Sequence, residues 1–191
     1  MLGSLTREAV VPRVRGRFGR EYLYAERCTS TQRLIPADAQ EGTVAVAEEQ
    51  TEGRGRLGRS WEAKPGTSIL CSVLLRPPVE PARLPELTLV GARACSAAIS
   101  EVTGLVPELK DPNDVLVGGR KVAGVLGEAN EGRVVLGIGI NANVPEDELP
   151  RETRLPATSL LAELGAPVDR TELLVVLLEE LEREYDGWLK G

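Results

Sequence analysis

The 191-residue sequence contains no histidine. This absence excludes Ser/His/Asp and Cys/His catalytic triads, and it removes the most common protein ligand of zinc. The thiols of Cys28, Cys71 and Cys95 lack C-x-x-C spacing, which indicates reduced, mostly buried cysteines of a cytoplasmic protein. No apolar run approaches the roughly 18 residues of a membrane span, and the N-terminus has no apolar signal segment. We therefore expect a cytoplasmic protein with no membrane partner.

The chain also has fewer basic than acidic residues. The chain has 23 Lys and Arg against 29 Asp and Glu, which gives a net charge of −6 and a pI near 5.0. A sequence-independent nucleic-acid binder needs a broad cationic surface, so this balance argues against that class. Aromatic residues make up only 3% of the chain. Leu, Val, Ile and Ala must therefore fill the core of what the length indicates is one domain.

The order of the predicted elements indicates an α+β fold. Alternating or β-rich apolar runs predict strands near residues 22–26, 43–47, 67–75, 105–109, 114–117, 121–129 and 134–140. Apolar stripes with helical spacing predict helices near 31–40, 82–103 and 158–164, and a last helix from about 169. Because hairpin turns join the later strands, we expect a mixed, largely antiparallel sheet with helices packed on one face. The basic residues 1–20, interrupted by Pro and Gly, leave open whether this segment is ordered or flexible.

One loop has a composition that core packing does not explain. Residues 53–61 read GRGRLGRSW, with three arginines between three glycines and a tryptophan at the end. The glycines permit positive φ and close approach of the backbone to a ligand. The guanidinium groups are planar forks suited to phosphate or carboxylate. Taken singly, the segment is either a solvated mobile loop or a lid that closes over an anion.

Three further segments place polar groups at turns. They are LKDPNDV at residues 109–115, GGRKVAGVL at 118–126 and GIGINAN at 137–143. Each has a plainer interpretation when it is taken alone. The first is good turn chemistry, the second is a hairpin, and the third is a turn after a buried strand.

Together and in this order, the segments resemble the catalytic core of the biotin protein ligases. The motifs of that family match Ser30-Thr31-Gln32, Gln50, the loop at 53–61, and the segments 110–114, 119–126 and 137–143. The resemblance covers about residues 20–190 and implies a single catalytic domain over residues 1–191. The loop at 53–61 is then expected to be a lid.

The resemblance implies a two-step ligation. Biotin and ATP, with Mg²⁺, give biotinyl-5′-adenylate and pyrophosphate, and the biotinyl group then moves to a lysine of a biotin carboxyl carrier protein. The biotin-binding residues implied are Ser30, Thr31, Gln32, Gln50, Gly53, Arg54, Lys110 and Gly124. The nucleotide-binding residues implied are Arg54, Arg56, Arg59, Trp61, Asn113, Lys121 and Asn141. Lys110 and Arg56 are expected to be catalytic, and no residue is assigned to a metal site.

The sequence departs from the family pattern in two respects. Asp111 stands where the family has Trp, which places an acid beside the expected site. We see no counterpart of the family's DNA-binding segment or of its small C-terminal β domain, so neither repression nor DNA binding is expected, and a homodimer is possible. The alternatives are a lipoate or octanoate ligase or transferase, a weakly active biotin-binding relative, and an arginine/glycine-rich nucleic-acid binder. The motifs of the lipoate relatives contain histidine, which this chain lacks.

Overall fold

The computed structural model describes residues 3–110, 112–151 and 153–191. Asp111, the position of the Trp-to-Asp departure, therefore lies outside the described residues. The strands are β1 (Tyr22–Cys28), β2 (Val44–Gln50), β3 (Ser68–Leu75), β4 (Glu108–Lys110), β5 (Asp114–Val117), β6 (Arg120–Asn130) and β7 (Arg133–Asn141). The helices are α1 (Arg7–Val10), α2 (Thr31–Leu34), α3 (Leu87–Thr103), α4 (Leu160–Leu164) and α5 (Arg170–Lys190).

The seven strands form one mixed sheet in the order β1-β2-β3-β7-β6-β5-β4. β1 pairs with β2 in parallel, and the other neighbouring strands are antiparallel. The hairpin between β5 and β6 turns at Gly118 and Gly119, whose φ values are 55° and 75°. The expected α+β class and the largely antiparallel sheet are thus confirmed.

The period of two along the central strands decides what each face of the sheet carries. In β3, Ile69, Cys71 and Val73 belong to the main core, together with buried side chains of α3 and α5. Leu74 belongs instead to a second, smaller apolar cluster against which Leu34 of α2 packs. The long helices therefore cover one face, and much of the opposite face is left for a cavity.

The N-terminal segment, whose order the sequence left open, forms short helical turns and contributes buried side chains in its described part. Leu5, Val10 and Phe18 have no exposed surface. The backbone N–H groups of Arg17 and Phe18 both donate to a carboxylate oxygen of Glu182 on α5, at 2.7 and 3.1 Å. The basic, Pro/Gly-rich composition of this segment gave no sign that Leu5, Val10 and Phe18 would be buried, because their burial depends on packing against distant parts of the chain.

Two predicted elements differ from those observed. The helix expected near 31–40 ends at Leu34, because Ile35 adopts an extended conformation (ψ 115°) before Pro36, which disfavours helical geometry in the preceding residue. The strand expected near 105–109 is instead β4, Glu108–Lys110, at the edge of the sheet. The last helix begins as expected, since Asp169 accepts hydrogen bonds from the backbone N–H groups of Thr171 and Glu172.

A buried ion pair joins β2 to the start of α5. The Arg170 guanidinium donates to Glu48 at 2.8 Å, and the backbone N–H of Gly66 donates to the same carboxylate oxygen at 2.8 Å. Gly66 lies between the loop at 53–61 and β3. The Glu48 carboxylate therefore also holds the backbone where this connection joins β3. Across the described ranges, no helix is both long enough and apolar enough to span a bilayer.

Candidate functional site

A cavity of about 1220 Å³ opens on the face of the sheet opposite α3 and α5. Its walls come from the ends of β1 and β2, one face of β6 and β7, the loop at 53–61 and the described residues of the segment at 144–157. Seven cationic and four acidic side chains line it, counting only described residues, although the whole chain carries a net charge of −6. The cavity lining therefore has three more cationic than acidic side chains, in contrast to the acidic chain as a whole.

One end of the cavity is polar but uncharged. The side chain of Gln50 accepts from the backbone N–H of Thr31 at 2.8 Å and from its hydroxyl at 3.1 Å. The hydroxyls of Thr31 and Ser72 are 2.8 Å apart. Ser30 occupies the N-cap position of α2, yet its side chain makes no capping hydrogen bond, so its hydroxyl is available to a ligand. The structure thus brings Ser30, Thr31 and Gln50, the residues that the resemblance implied for biotin, together at one end of the cavity.

Gln32 lines the same end of the cavity but is used largely by the protein itself. Its amide nitrogen donates to the carbonyl oxygens of Leu126 and Val135 at 3.1 and 3.3 Å. A Cβ atom at Gly137 would lie 3.2 Å from this amide group. Gly137 therefore leaves the space in which Gln32 fastens α2 to β6 and β7.

The loop at 53–61 is a short hairpin. Trp61 donates its backbone N–H to the carbonyl of Gly53 at 2.9 Å, and Gly55 donates to that of Arg59 at 2.6 Å. Gly53 is buried, and a Cβ atom there would lie 2.1 Å from the Trp61 carbonyl oxygen, so only glycine fits. Leu57 at the tip is 86% exposed and has a φ of 61°. The loop is thus an ordered hairpin that lines one side of the cavity, and its expected role as a lid stays a prediction.

The three arginines of the lid all line the cavity, and all are exposed. Arg54 forms an ion pair with Glu128 of β6 at 3.0 Å. Arg59 donates its Nε–H to the carbonyl oxygen of Arg56 at 2.9 Å. Since exposed ion pairs contribute little to stability, these guanidinium groups are available to an anionic ligand.

Trp61 lies on a floor of two glycines. A Cβ atom at Gly139 would be 2.4 Å from its indole ring, and one at Gly124 would be 3.0 Å from it. The Lys121 ammonium is 5.3 Å from the ring centroid, within the range of a cation–π contact. The indole N–H is buried and has no hydrogen-bond partner among the described residues. The predicted residues Trp61, Lys121 and Gly124 therefore meet in one place.

Lys121 contacts a carboxylate to which the sequence assigned no role. Its Nζ lies 2.6 Å from Asp114 Oδ1, and Arg154 Nη2 lies 3.3 Å from Asp114 Oδ2. The Asp114 side chain is only 1% exposed. The LKDPNDV segment offered a turn as the simpler account of Asp114, and Arg154 belongs to no motif. Their proximity depends on the tertiary fold.

Asn113 and Asn141 both line the cavity and are buried. Asn113 donates its amide N–H to the carbonyl of Val125 at 3.1 Å, and Asn141 donates to that of Thr158 at 3.0 Å. Each amide group is therefore held in a fixed orientation by its nitrogen.

Lys110, which was expected to be catalytic, is not among the described residues that line the cavity. It is exposed at the end of β4, where its backbone pairs with that of Asp114. Among the described residues that line the cavity, Lys121 rather than Lys110 is the lysine beside Trp61 and Gly124.

Among the described residues, the site offers neither an ionised thiol nor a cluster of metal ligands. The Cys71 thiol lies in the main core on the opposite face of the sheet, and burial raises its pKa to about 12, so it stays protonated near neutral pH. In the part of the chain that the structure describes, no cluster of three or more His, Cys, Asp or Glu could hold a metal ion. The arrangement is suited to binding and orienting an anion beside a neutral hydrogen-bonding end.

Comparison with known proteins gives a consistent result. Residues 24–144 match the model of the biotin/lipoate A/B protein ligase family. The chain is 37% identical over 180 residues to a bifunctional ligase/repressor of Bacillus subtilis, covering 90% of this chain and 55% of that protein. It is 39% identical over 153 residues to a biotin–[acetyl-CoA-carboxylase] ligase of Mycobacterium tuberculosis, covering 78% of this chain and 56% of that protein.

Among solved structures, the fold is similar to the biotin protein ligase of Aquifex aeolicus in complex with biotin and ATP. The TM-score is 0.81 at 35% identity, and the match covers 90% of this chain and 72% of that one. The chain spans about half the length of the two sequence relatives named above.

Proposed function

The chain belongs to the biotin/lipoate A/B protein ligase family, and from this premise we propose that it activates biotin with ATP and transfers it to a carrier protein. In the first step biotin and MgATP give biotinyl-5′-adenylate and pyrophosphate. In the second, a lysine amine of a biotin carboxyl carrier protein takes the biotinyl group and AMP leaves. The observation that carries this proposal is the cavity, which joins an uncharged hydrogen-bonding end to a cationic end under the lid.

The uncharged end favours biotin over lipoate as the substrate. Ser30, Thr31 and Gln50 present hydroxyl and amide groups suited to the ureido ring of biotin, whose N–H and C=O groups need such partners. The dithiolane ring of lipoate would leave these groups unpaired. A site built to hydrogen-bond a substrate discriminates strongly against an analogue that lacks the partner groups.

The cationic end suits the reaction, in which a carboxylate and a triphosphate must meet. A carboxylate oxygen of biotin attacks the α-phosphorus, the bond from that phosphorus to the bridging oxygen breaks, and pyrophosphate leaves with the electron pair. Biotin is already ionised at neutral pH, so no general base is needed, and the absence of histidine is no obstacle. Fixed cations accelerate this step if they bind the developing charge more strongly in the transition state.

Within this proposal we assign the central cation to Lys121. Asp114 holds its ammonium at 2.6 Å, and the group is only 20% exposed, so its position is set before the substrate arrives. Arg56 and Arg59 would close over the phosphates with the lid, and Trp61 would cover the base of the nucleotide. Lys110, exposed on β4, is kept as the competing candidate.

The remaining expectations belong to the same proposal. Mg²⁺ would enter as the counter-ion of ATP, and the acceptor would be a lysine of the carrier protein. A cytoplasmic location agrees with three free cysteines and a need for ATP. Homodimer formation is a separate prediction, which sedimentation analysis of the purified chain would test.

The experiment is to incubate the chain with MgATP and either biotin, lipoate or octanoate, and to measure pyrophosphate and the acyl-adenylate. We expect pyrophosphate and acyl-adenylate to form with biotin. The Ser30→Ala variant should bind biotin about tenfold more weakly, the effect of losing one hydrogen bond. Ser100→Ala, on the exposed surface of α3, is the control and should change nothing. Adenylate formation with lipoate but not biotin would make the chain a lipoate ligase, and no adenylate with any acid would refute ligase activity.

A further inference from the structure

The described residues of the segment at 144–157 form the wall of the cavity beside Lys121. Two backbone hydrogen bonds attach the end of this segment to Lys121. The Lys121 N–H donates to the carbonyl oxygen of Pro156 at 2.7 Å, and the Lys121 carbonyl oxygen accepts from the N–H of Thr158 at 2.8 Å. This attachment brings Arg154 to within 3.3 Å of Asp114. Arg154 thus enters the cavity from a different part of the chain than the lid arginines do.

Asp114 is shared by two cations. The buried carboxylate lies 2.6 Å from the Lys121 ammonium, which already balances its charge. Arg154 then adds a further positive charge, so these three side chains carry a net charge of +1 and face one cavity. Because Asp114 is 1% exposed and fixed in the sheet, it defines where both cations sit.

The pairing with Asp114 leaves most of the Arg154 guanidinium free to bind a ligand. The contact is long, at 3.3 Å, and the Arg154 side chain is 59% exposed. An ion pair of this kind contributes little to stability. A guanidinium has five N–H donors in a planar fork that fits phosphate oxygens, and the contact with Asp114 uses one nitrogen.

We propose that Arg154 binds the phosphate groups of ATP that leave as pyrophosphate. This inference rests on the proposed function and adds to it a residue outside the motifs that predicted the site. While the α-phosphorus–oxygen bond breaks, negative charge moves onto the departing pyrophosphate, and a guanidinium at that end would bind the product as well as the substrate. Arg154 is thereby distinguished from groups that touch only biotin.

The test compares Arg154→Gln with Arg151→Gln, which removes an exposed arginine three residues earlier in the same segment. Calorimetric titration of the free chain with magnesium pyrophosphate measures the site without requiring turnover. We expect Arg154→Gln to weaken pyrophosphate binding about tenfold or more, the effect of one lost charge-assisted contact. The KM for MgATP should rise similarly, while the KM for biotin and the melting temperature stay at the wild-type values. Arg154→Lys, which keeps the charge, should recover part of the affinity.

Unchanged pyrophosphate affinity in Arg154→Gln would overturn the inference. An equal rise in both KM values, or an equal loss of pyrophosphate affinity in Arg151→Gln, would also overturn it, because the arginine would then act only through the wall or through bulk charge. The proposed function fails separately, if the wild-type chain makes no biotinyl-adenylate. In that case the calorimetric comparison still decides whether Arg154 binds pyrophosphate.

Discussion

Replacing Lys121 by methionine tests the assignment of the central cation. The change keeps most of the aliphatic length of the side chain and removes the charge that lies 2.6 Å from Asp114 and 5.3 Å from the Trp61 ring centroid. Loss of one preorganised charge-stabilising donor usually costs about 100- to 1000-fold in rate, or about 2.7–4 kcal/mol. We therefore expect Lys121→Met to slow biotinyl-adenylate formation by roughly that factor.

The same change also affects stability. Removing one partner of a buried ion pair costs about 3–5 kcal/mol, because the remaining charge is left without compensation. Here the cost should be smaller, since Arg154 still contacts Asp114 and the Lys121 side chain is 20% exposed. We expect a loss of about 1–3 kcal/mol, which for a chain of this size lowers the melting temperature by roughly 2–12 °C. The double variant Lys121→Met/Asp114→Asn should recover most of that stability without recovering the rate.

The assay is a single-turnover measurement of labelled adenylate, with melting followed on the same preparations. Lys110→Met serves as the matched comparison, because Lys110 is exposed on the edge strand β4. We expect this variant to melt as the wild type does and to form adenylate within about threefold of the wild-type rate, well short of the loss of a fixed cation. If Lys110→Met slowed the reaction as much as Lys121→Met does, our choice between the lysines would be wrong. A wild-type rate in Lys121→Met would remove that residue from the mechanism.

Three other predictions address the lid and the thiols. Arg56→Gly removes an exposed phosphate fork and adds a flexible residue, so labelled adenylate should escape about 10- to 100-fold faster in filter binding, and an unchanged off-rate would exclude a contact with the intermediate. Gly139→Ala places a Cβ atom 2.4 Å from the Trp61 ring, so it should displace the indole, change the Trp61 fluorescence and speed adenylate release. Unchanged fluorescence and an unchanged release rate would show that the ring does not pack against Gly139 in solution. Since burial raises the pKa of Cys71 to about 12, this thiol should resist alkylation at pH 8 until the chain unfolds. The partly exposed Cys28 should react first, and mass spectrometry of labelled peptides would show the order of reaction.

The sequence by itself determined the local structure of this protein and the order of its motifs. Two glycines between β5 and β6 specify a hairpin, because both positions have positive φ. The side chain of Asp169 specifies the start of α5 through the backbone N–H groups next to it. The loop at 53–61 stood out as a candidate ligand-binding loop because three glycines and three arginines in nine residues serve no core. Each of these signals lies within a few residues of the structure that it specifies.

Only the tertiary structure decided which side chains meet. The motifs assigned catalysis to Lys110 and nucleotide binding to Lys121, but the side chain of Lys121 lies beside Trp61 and Asp114, whereas Lys110 is exposed on an edge strand. The orientation of Lys121 depends on a register shift between β5 and β6 at Val115 and Leu116, which alternation along a single strand does not reveal. The contact between Arg154 and Asp114 joins residues 40 positions apart, through a wall held by backbone hydrogen bonds to Lys121. Pairings of this kind depend on how distant segments pack, and no local pattern of residues encodes them.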